Sequence, residues 1–448
     1  MLNRFLKHIC HWFNIRVPSL HADFKKHFSR YYVPRNLNIW YCFGILLVLV
    51  LVIQLISGIF LTMSYKPDSS LNSAGIPIAF DSVQSGIMRE VTGGWLIRYM
   101  HTTGASLLFV VLYLHLFRGL LYGSYKKPRE LVWIIGQILF MLLMAEAFTG
   151  YVLPWGQMSY WATQVVINLF DTIPVIGTDL ANWIRGDYAV SGITLNRFFA
   201  LHIIVIPLFI IMLTRLHIRA LHDTGSNNPD GIEIKECLDG EGIPLDGIPF
   251  HPYYTTHDLM VCVIFLIVFC SIVFFAPDMS GYFLEPANFE PANPMQTPEH
   301  ISPPWYFAPF YSILRTTPAF LGSQIWGMIA LALSVLLVPL LPWLDRCRVK
   351  SIRYRSIVFK VMLLAFTLSF IGLGILGTKT PSPSRILTSQ ILTFVYFAFF
   401  ISIPFYSKSE KTVKPPKRVS TPTFKDKLVF VAWVAIILAL AILFIKLI

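Results

Sequence analysis

The stretch GGWLIRYMHTTGASLLFVVLYLHLFRGLLYGSY, residues 93–125, decides the fold. It is an apolar run long enough to cross a bilayer core as a helix, and it carries His101 and His115. A histidine inside a transmembrane helix is costly and is usually functional. Fourteen residues give a rise of about 21 Å and a return to within roughly 40° of the same face. The stretch therefore predicts one imidazole in each leaflet.

A second apolar run holds His202 and His217 at nearly the same depths. A single histidine in such a run is more often a packed core residue, so the argument depends on the pairing. Two facing imidazoles at one level form a bis-histidine haem site. We therefore predict two non-covalent b haems in a four-helix bundle, with iron ligands His101 and His202 at one level and His115 and His217 at the other.

The neighbouring apolar runs carry glycines with the same fourteen-residue period, Gly44 and Gly58 in one and Gly136 and Gly150 in the other. A glycine allows a porphyrin edge or another helix to approach the backbone closely. Helix packing explains any one of them. The shared period in three of four consecutive runs favours a haem-binding role.

Three arginines stand beside the histidine levels and are predicted to contact haem propionates. Arg98 and Arg197 lie just outward of His101 and His202, and Arg118 lies just inward of His115. A guanidinium matches carboxylate geometry, although arginines at helix ends also extend toward the headgroups for solvation alone.

Composition places most of the surface in lipid. The 448 residues are 55% hydrophobic and 13% charged, about half the charged share of soluble domains. The net charge of +12 does not indicate nucleic acid, because the basic residues fall in loops between apolar runs. The six cysteines form no Cys-x-x-Cys pair, which argues against disulfides, structural zinc and covalently attached haem.

We expect an all-α polytopic membrane protein with about nine spans: 38–63, 93–117, 131–152, 193–216, 259–276, 323–343, 357–377, 386–405 and 428–448. With the N-terminus inside, cytoplasmic segments hold 26 Lys and Arg and outside segments hold 6. This bias predicts a cytoplasmic N-terminus and a periplasmic C-terminus. Two outside loops, 153–192 and 277–322, are long enough to be functional, and we expect each to contain short helices.

These motifs, together with GYVLPWGQMSYWATQVV, TLNRFFALH, LHDTGSNNPDGI and IPFHPYYTTHDL, closely resemble cytochrome b of the bacterial cytochrome bc complex over residues 30–405. The resemblance implies an inner-membrane quinol–cytochrome c oxidoreductase that works by a Q-cycle and contributes to the proton gradient. Quinol is oxidised at an outer site, and quinone is reduced at an inner site after electrons cross two b haems. The implied partners are a Rieske iron–sulfur protein, a c-type cytochrome subunit, quinone, membrane lipid and a second copy of the complex.

The expected organisation has five parts. They are an amphipathic N-terminal segment (1–37), the di-haem bundle with its outer loop (38–222), a cytoplasmic loop (223–258), a C-terminal membrane domain (259–405) and a basic tail with a ninth helix (406–448).

The resemblance also implies an outer quinol site whose catalytic tyrosines are Tyr151 and Tyr306. Its substrate-binding residues are Trp155, Gly156, Trp161, Ala162, Pro304 and Trp305. The family motif Pro-Glu-Trp-Tyr offers a carboxylate to a quinol proton, but here the motif is Pro-Pro-Trp-Tyr, and Pro304 accepts no proton. We hypothesise that Glu299, with His300, supplies the missing carboxylate. The alternative is that Glu299 is a solvated acidic residue of the loop with no role in catalysis.

At the inner quinone site the resemblance assigns His222, Ser226 and Asp258, with His257 where lysine is common. The alternative is that His222 and Asp258 are polar residues at the membrane interface without a role in quinone binding.

One departure concerns helix geometry. His202 and His217 are fifteen residues apart, one more than the family spacing, and the extra residue falls before Pro207. Fifteen residues turn the helix about 60° past the starting face. We predict a kink or π-bulge near Pro207 that absorbs the insertion.

Two other functions compete with this interpretation. A di-haem anchor relaying electrons for a dehydrogenase would not need the long 277–322 loop. A transporter would place charged residues at mid-bilayer and break helices in repeated halves, and Glu146 is the only mid-span acid we note.

Overall fold

The computed structural model describes residues 8, 11–12, 14–18 and 31–420, and this part of the chain is mainly helical. Eleven helices carry labels here: α1 Phe43–Thr62, α2 Gly94–Tyr122, α3 Glu130–Val152, α4 Gln157–Phe170, α5 Gly177–Arg185, α6 Gly192–Thr224, α7 Tyr253–Phe275, α8 Ala308–Thr316, α9 Ile325–Leu336, α10 Ile357–Gly377 and α11 Pro383–Ser409. Two short strands, β1 Tyr32–Pro34 and β2 Gly247–Pro249, pair antiparallel beside the N-terminal end of α7.

Seven of these helices are long and apolar enough to cross a membrane: α1, α2, α3, α6, α7, α10 and α11. The predicted sixth span, 323–343, is wrong in length, since α9 ends at Leu336 after 12 residues. Pro339 explains the early end, because a proline donates no hydrogen bond and disfavours helix at the residue before it. The proposed ninth span, 428–448, lies outside the described residues, so the total of nine stays a prediction.

The haem-bundle helices pack as two pairs, α1 against α2 and α3 against α6. The C-terminal helices α8, α10 and α11 form a separate layer around Phe366, Tyr396 and Phe399. Close packing rather than exclusion of water holds helices together in lipid, and small residues allow it. Gly377 of α10 illustrates this, because it lies directly against the carbonyl group of Ala308.

A cluster of buried charges around Asp345 holds the ends of these helices together, on the side that is predicted to be cytoplasmic. The Asp345 carboxylate accepts from Arg355 Nη1 (2.8 Å), from the Tyr125 hydroxyl (2.5 Å) and from Lys126 Nζ (2.8 Å), and Arg355 also pairs with Glu410. Both Asp345 and Arg355 have fully buried side chains. These basic residues therefore hold tertiary structure in addition to setting topology.

The two long outside loops fold against each other. The expected short helices are confirmed, with α4 and α5 in the first loop and α8 in the second. The backbone N–H of Gln157 donates to the Glu290 carbonyl (2.9 Å), and that of Ala292 donates to the Trp155 carbonyl (3.0 Å). This pairing brings segments more than 130 residues apart in sequence to one place above the bundle.

Candidate haem and quinone sites

Two pairs of histidines face each other across the bundle. The ring centroids of His101 and His202 are 6.2 Å apart, and those of His115 and His217 are 6.5 Å apart. Two metal–nitrogen bonds of about 2 Å, plus the distance from each nitrogen to its ring centre, together span roughly 6 Å. Each pair is therefore spaced to hold one iron between two imidazoles.

Hydrogen bonds orient the imidazole rings of His101 and His202, which form the pair at the level predicted to be outer. His202 Nδ1 lies 3.0 Å from the backbone oxygen of Glu146, and His101 Nδ1 lies 2.9 Å from the Ser57 hydroxyl. Since a carbonyl oxygen only accepts, His202 Nδ1 carries the proton and Nε2 keeps a lone pair for a metal. This second contact is the usual way in which a protein fixes a ligating imidazole.

Each predicted glycine faces one of these histidines. A methyl group built on Gly44 would lie 3.7 Å from the His115 ring, one on Gly58 3.3 Å from His101, and one on Gly136 3.1 Å from His217. On Gly150 it would overlap the His202 ring. The fourteen-residue period thus corresponds to two levels in space, which supports the haem-binding hypothesis over simple helix packing.

Two of the three predicted arginines suit an anionic group. Arg98 is buried, and its Nη2 has no hydrogen-bond partner among the described residues, nor does Nε of Arg118. Buried donors without partners are rare, so a ligand carboxylate fits both places. Arg197 is placed differently: its side chain is exposed and donates to the carbonyl oxygen of Trp183. A propionate contact of Arg197 stays a prediction that this geometry does not favour.

The predicted distortion of the fourth bundle helix is confirmed. Within α6 the segment Leu201–Val205 is a π-helix, which begins one residue before His202 and ends two before Pro207. The wider π turn takes up the fifteenth residue, so His217 still faces His115.

Deleting Ile204, whose side chain is exposed, is expected to relax this π turn to an ordinary α turn and to leave both haems bound. Inserting one alanine after Ile204 should rotate His202 by about 100° relative to His217 and remove one haem. Haem per polypeptide, measured on the two purified variants, checks this pair. Loss of haem from the deletion variant would contradict the role given to the π segment.

His115 and His217, the pair at the level predicted to be inner, line a cavity of about 350 Å³. Its lining extends from this histidine pair to the residues proposed for the inner quinone site and includes His115, His217, Gly44, Gly136, Arg118, His222, Ser226 and Asp258. His257 lies beside this cavity, with Nδ1 3.3 Å from Cys42 Sγ. One continuous space therefore adjoins both the proposed inner haem and most of the proposed inner quinone residues.

Tyr31 is an inner-site residue that the sequence reasoning missed. Its ring stacks on His222 at 4.3 Å, and its hydroxyl lies 3.4 Å from Ser226 Oγ. Tyr31 lines the same cavity. It directly precedes β1, and the pairing of β1 with β2 holds it there. The sequence did not predict its role, because Tyr31 lies 191 residues before His222 and no local pattern connects the two.

At the outer face the Pro-Pro-Trp-Tyr segment lies on α2. Trp305 Nε1 donates to Ser106 Oγ (3.3 Å), and the Tyr306 ring stacks on Phe109 at 4.2 Å. The Tyr113 hydroxyl donates to the Tyr306 backbone oxygen (2.5 Å). The chain thus fixes both aromatic residues of the motif on the haem bundle.

The first outside loop brings its predicted residues beside this segment. Trp155 is buried with φ 52°, Gly156 lies against Asn288, and Trp161 Nε1 donates to the Asn293 carbonyl (3.3 Å). Tyr151 contacts Asn288 as well, because Asn288 Nδ2 lies 3.0 Å from its hydroxyl.

A carboxylate other than Glu299 lies beside these residues, and the role of Glu299 stays a prediction. Glu299 is exposed, and His300 is half-buried near Arg315. Glu285 instead accepts a hydrogen bond from Asn288, which also contacts the Tyr151 hydroxyl. Sequence reasoning overlooked Glu285 because it is 19 residues before Pro304, and only the folded loop brings it near the motif.

Replacing Ala162 by glycine is expected to strengthen binding of methoxyacrylate-type inhibitors about 10-fold. Ala162 is buried in α4, and the resemblance to cytochrome b implies glycine at this position, so its methyl should narrow the proposed pocket. An inhibitor titration of quinol oxidation measures the change, with Ala189→Gly in the exposed part of the same loop as control. Equal sensitivity of the wild type and the Ala162 variant would refute a role for this methyl group.

Comparison with known proteins agrees with this geometry. A family model described as cytochrome b/b6/petB matches residues 28–225, and one described as cytochrome b (C-terminal)/b6/petD matches residues 291–397. Cytochrome b of Allochromatium vinosum is 53% identical over 92% of this chain and 98% of its own length. Cytochrome b of Rhodospirillum rubrum is 46% identical over 92% and 96%.

Among solved structures, a chain of a hyperthermophilic respiratory complex III superimposes with a TM-score of 0.79 at 37% identity, covering 88% of this chain and 97% of that one. The same family is indicated by three observations: histidines paired at two levels, an apolar helical bundle, and relatives that match nearly the whole chain. The chain belongs to the cytochrome b family and is a cytochrome b subunit of a bc complex.

Proposed function

We propose that this subunit oxidises quinol at the outer face of a bacterial inner membrane and reduces quinone at the inner face, in the Q-cycle of a quinol–cytochrome c oxidoreductase. The observation that carries the proposal is the spacing of the two histidine pairs, 6.2 and 6.5 Å between ring centroids. When bound there, two b haems supply one-electron carriers at two depths of the membrane.

The outer half of the reaction takes place where the two outside loops meet. Tyr306 and Trp305 are held on α2, and Tyr151 reaches the same place from the end of α3. These residues bind and orient the quinol, while buried neighbours such as Trp155 exclude water. Electrons leave to a Rieske iron–sulfur protein and a c-type cytochrome subunit on this side.

The inner half takes place in the 350 Å³ cavity. His222 and Asp258 suit the two carbonyl ends of a quinone, because an imidazole and a carboxylic acid both donate protons to a reduced quinone oxygen. Tyr31 stacks on His222 and orients it, and Ser226 in turn contacts the Tyr31 hydroxyl. The cavity is lined in part by residues of the loop that is predicted to be cytoplasmic, such as Ser226 and Phe250, so these protons come from the cytoplasm and the subunit contributes to the proton gradient.

The assay for this function uses the intact complex, purified with its partner subunits and expected to be a homodimer. Reduction of cytochrome c by short-chain ubiquinol and menaquinol analogues is measured with and without an outer-site inhibitor. Inhibitor-sensitive turnover supports the proposal. A complex that binds both haems but passes electrons from neither quinol would instead favour an anchor that relays electrons for a dehydrogenase.

A further inference from the structure

Glu285 stands at the centre of a polar group between the two outside loops. Its Oε2 accepts from Asn288 Nδ2 (3.0 Å), and the same Nδ2 lies 3.0 Å from the Tyr151 hydroxyl. The Glu285 carboxylate also acts electrostatically on the Tyr151 hydroxyl. Asn288 therefore links Glu285 to Tyr151 and joins the end of α3 to the second outside loop.

The orientation of Asn288 is fixed by its other contacts. Asn288 is buried, and its Oδ1 accepts from the backbone N–H of Ser159 (2.8 Å). Because a backbone N–H only donates, the amide oxygen faces Ser159 and the amide nitrogen faces Glu285. Gly156 allows this arrangement, since a side chain there would meet Asn288. Asn288 is thus a positioning residue that aims the carboxylate.

Glu285 also lies near the motif that lacks its own glutamate. Its charge acts on Tyr306, the last residue of Pro-Pro-Trp-Tyr, as well as on Tyr151. Both tyrosines belong to the proposed quinol site, and both reach Glu285 from different elements. Glu299, by contrast, is exposed at the surface of the same loop.

The surroundings of Glu285 suit a proton acceptor. Burial raises its pKa, although hydrogen bonding to its own backbone and to Asn288 opposes that change. A base whose pKa lies closer to neutral takes a proton from a quinol hydroxyl more readily than a solvated carboxylate does. Glu285 is partly exposed, so the residue is not sealed inside the protein.

We propose that Glu285 is the carboxylate that accepts a quinol proton at the outer site, in the role that Pro304 cannot perform. The inference rests on the proposed function. Oxidation of one quinol to quinone releases two protons and two electrons. One O–H bond breaks toward a Glu285 oxygen and the other proton leaves to water at the outer face, while the electrons go to the iron–sulfur partner and to the outer b haem.

The test is Glu285→Gln in the intact complex, which keeps the size and hydrogen-bonding capacity of the side chain but removes its basicity. We expect kcat for quinol–cytochrome c reduction to fall at least about 10-fold, with KM little changed. The acidic limb of the pH profile should flatten, and both haems should remain. Glu285→Asp should recover a large part of the rate.

Glu290→Gln is the matched control, because Glu290 is an exposed acid of the same loop, and it should leave kcat and the pH profile unchanged. Glu299→Gln tests the competing acid directly. Wild-type rate and pH dependence in Glu285→Gln would overturn the inference, as would equal losses in the Gln and Asp variants accompanied by loss of haem. A wild-type complex that holds two haems and oxidises no quinol would overturn the proposed function itself.

Discussion

Replacing His202 by leucine is expected to leave one haem per chain instead of two and to lower quinol–cytochrome c turnover by about 100-fold or more. His202 faces His101 at a centroid distance of 6.2 Å, and leucine offers no lone pair to a metal. The hydrogen bond that His202 makes with the Glu146 backbone would also be lost. A pyridine haemochrome assay and a redox titration of the purified variant measure the loss.

His217→Leu is the companion variant, and it should remove the haem of the other level. The two variants should therefore lose different steps of the redox titration. If both lost the same step, or if either retained two haems, the assignment of two histidine pairs to two levels would be wrong.

Replacing Asp345 by alanine is expected to destabilise the folded subunit by about 3–5 kcal/mol, because the buried charge of Lys126 would lose its counter-ion and Arg355 would keep only Glu410. All three side chains are at most 7% exposed. Thermal unfolding of the purified complex measures the effect. Asp223→Ala is the control, since Asp223 pairs with Arg219 at 3.5 Å on an exposed face and should change stability by less than about 1 kcal/mol.

The same cluster predicts a pH dependence. Burial alone would raise the pKa of Asp345, but Lys126 and Arg355 outweigh it and hold the pKa below its usual range. The cluster therefore contributes its full stability above the ordinary aspartate pKa of about 4 and loses it as pH falls through the lower folded-state pKa. Similar stability of Asp345→Ala and Asp223→Ala at neutral pH would contradict the importance of the cluster.

The parts of the site that sequence could predict are those set by helix periodicity. Histidines and glycines fourteen residues apart return to one face of a helix, so their two levels follow from geometry alone, and Gly136 and Gly150 indeed face His217 and His202. The π segment before Pro207 was predictable for the same reason, because an extra residue must be absorbed somewhere.

The parts that sequence could not predict depend on contacts between distant loops. Glu285 meets Tyr151 across more than 130 residues, and Tyr31 meets His222 across 191. Neither contact leaves a periodic signal. Arg197 shows the opposite error, since a position one turn from His202 suggested a propionate contact, whereas its side chain turns outward to Trp183.

The acidic residues of the cytoplasmic loop were also undervalued by topology rules, which give carboxylates little weight. In the folded chain Glu233 accepts from both Nη atoms of Arg129 at 2.6 and 2.7 Å, and Asp230 accepts from Arg353 at 3.0 Å. These pairs join loops 118–130 and 344–356 to this loop, on the side that is predicted to be cytoplasmic.

The central claim is that four histidines bind two b haems, and a pyridine haemochrome assay with a reduced-minus-oxidised spectrum of the purified chain tests it most directly. We expect two non-covalent b haems per polypeptide, reduced in two potential steps. One haem would mean that one histidine pair binds no iron. No haem would contradict the account and would favour the alternative that the protein is a transporter.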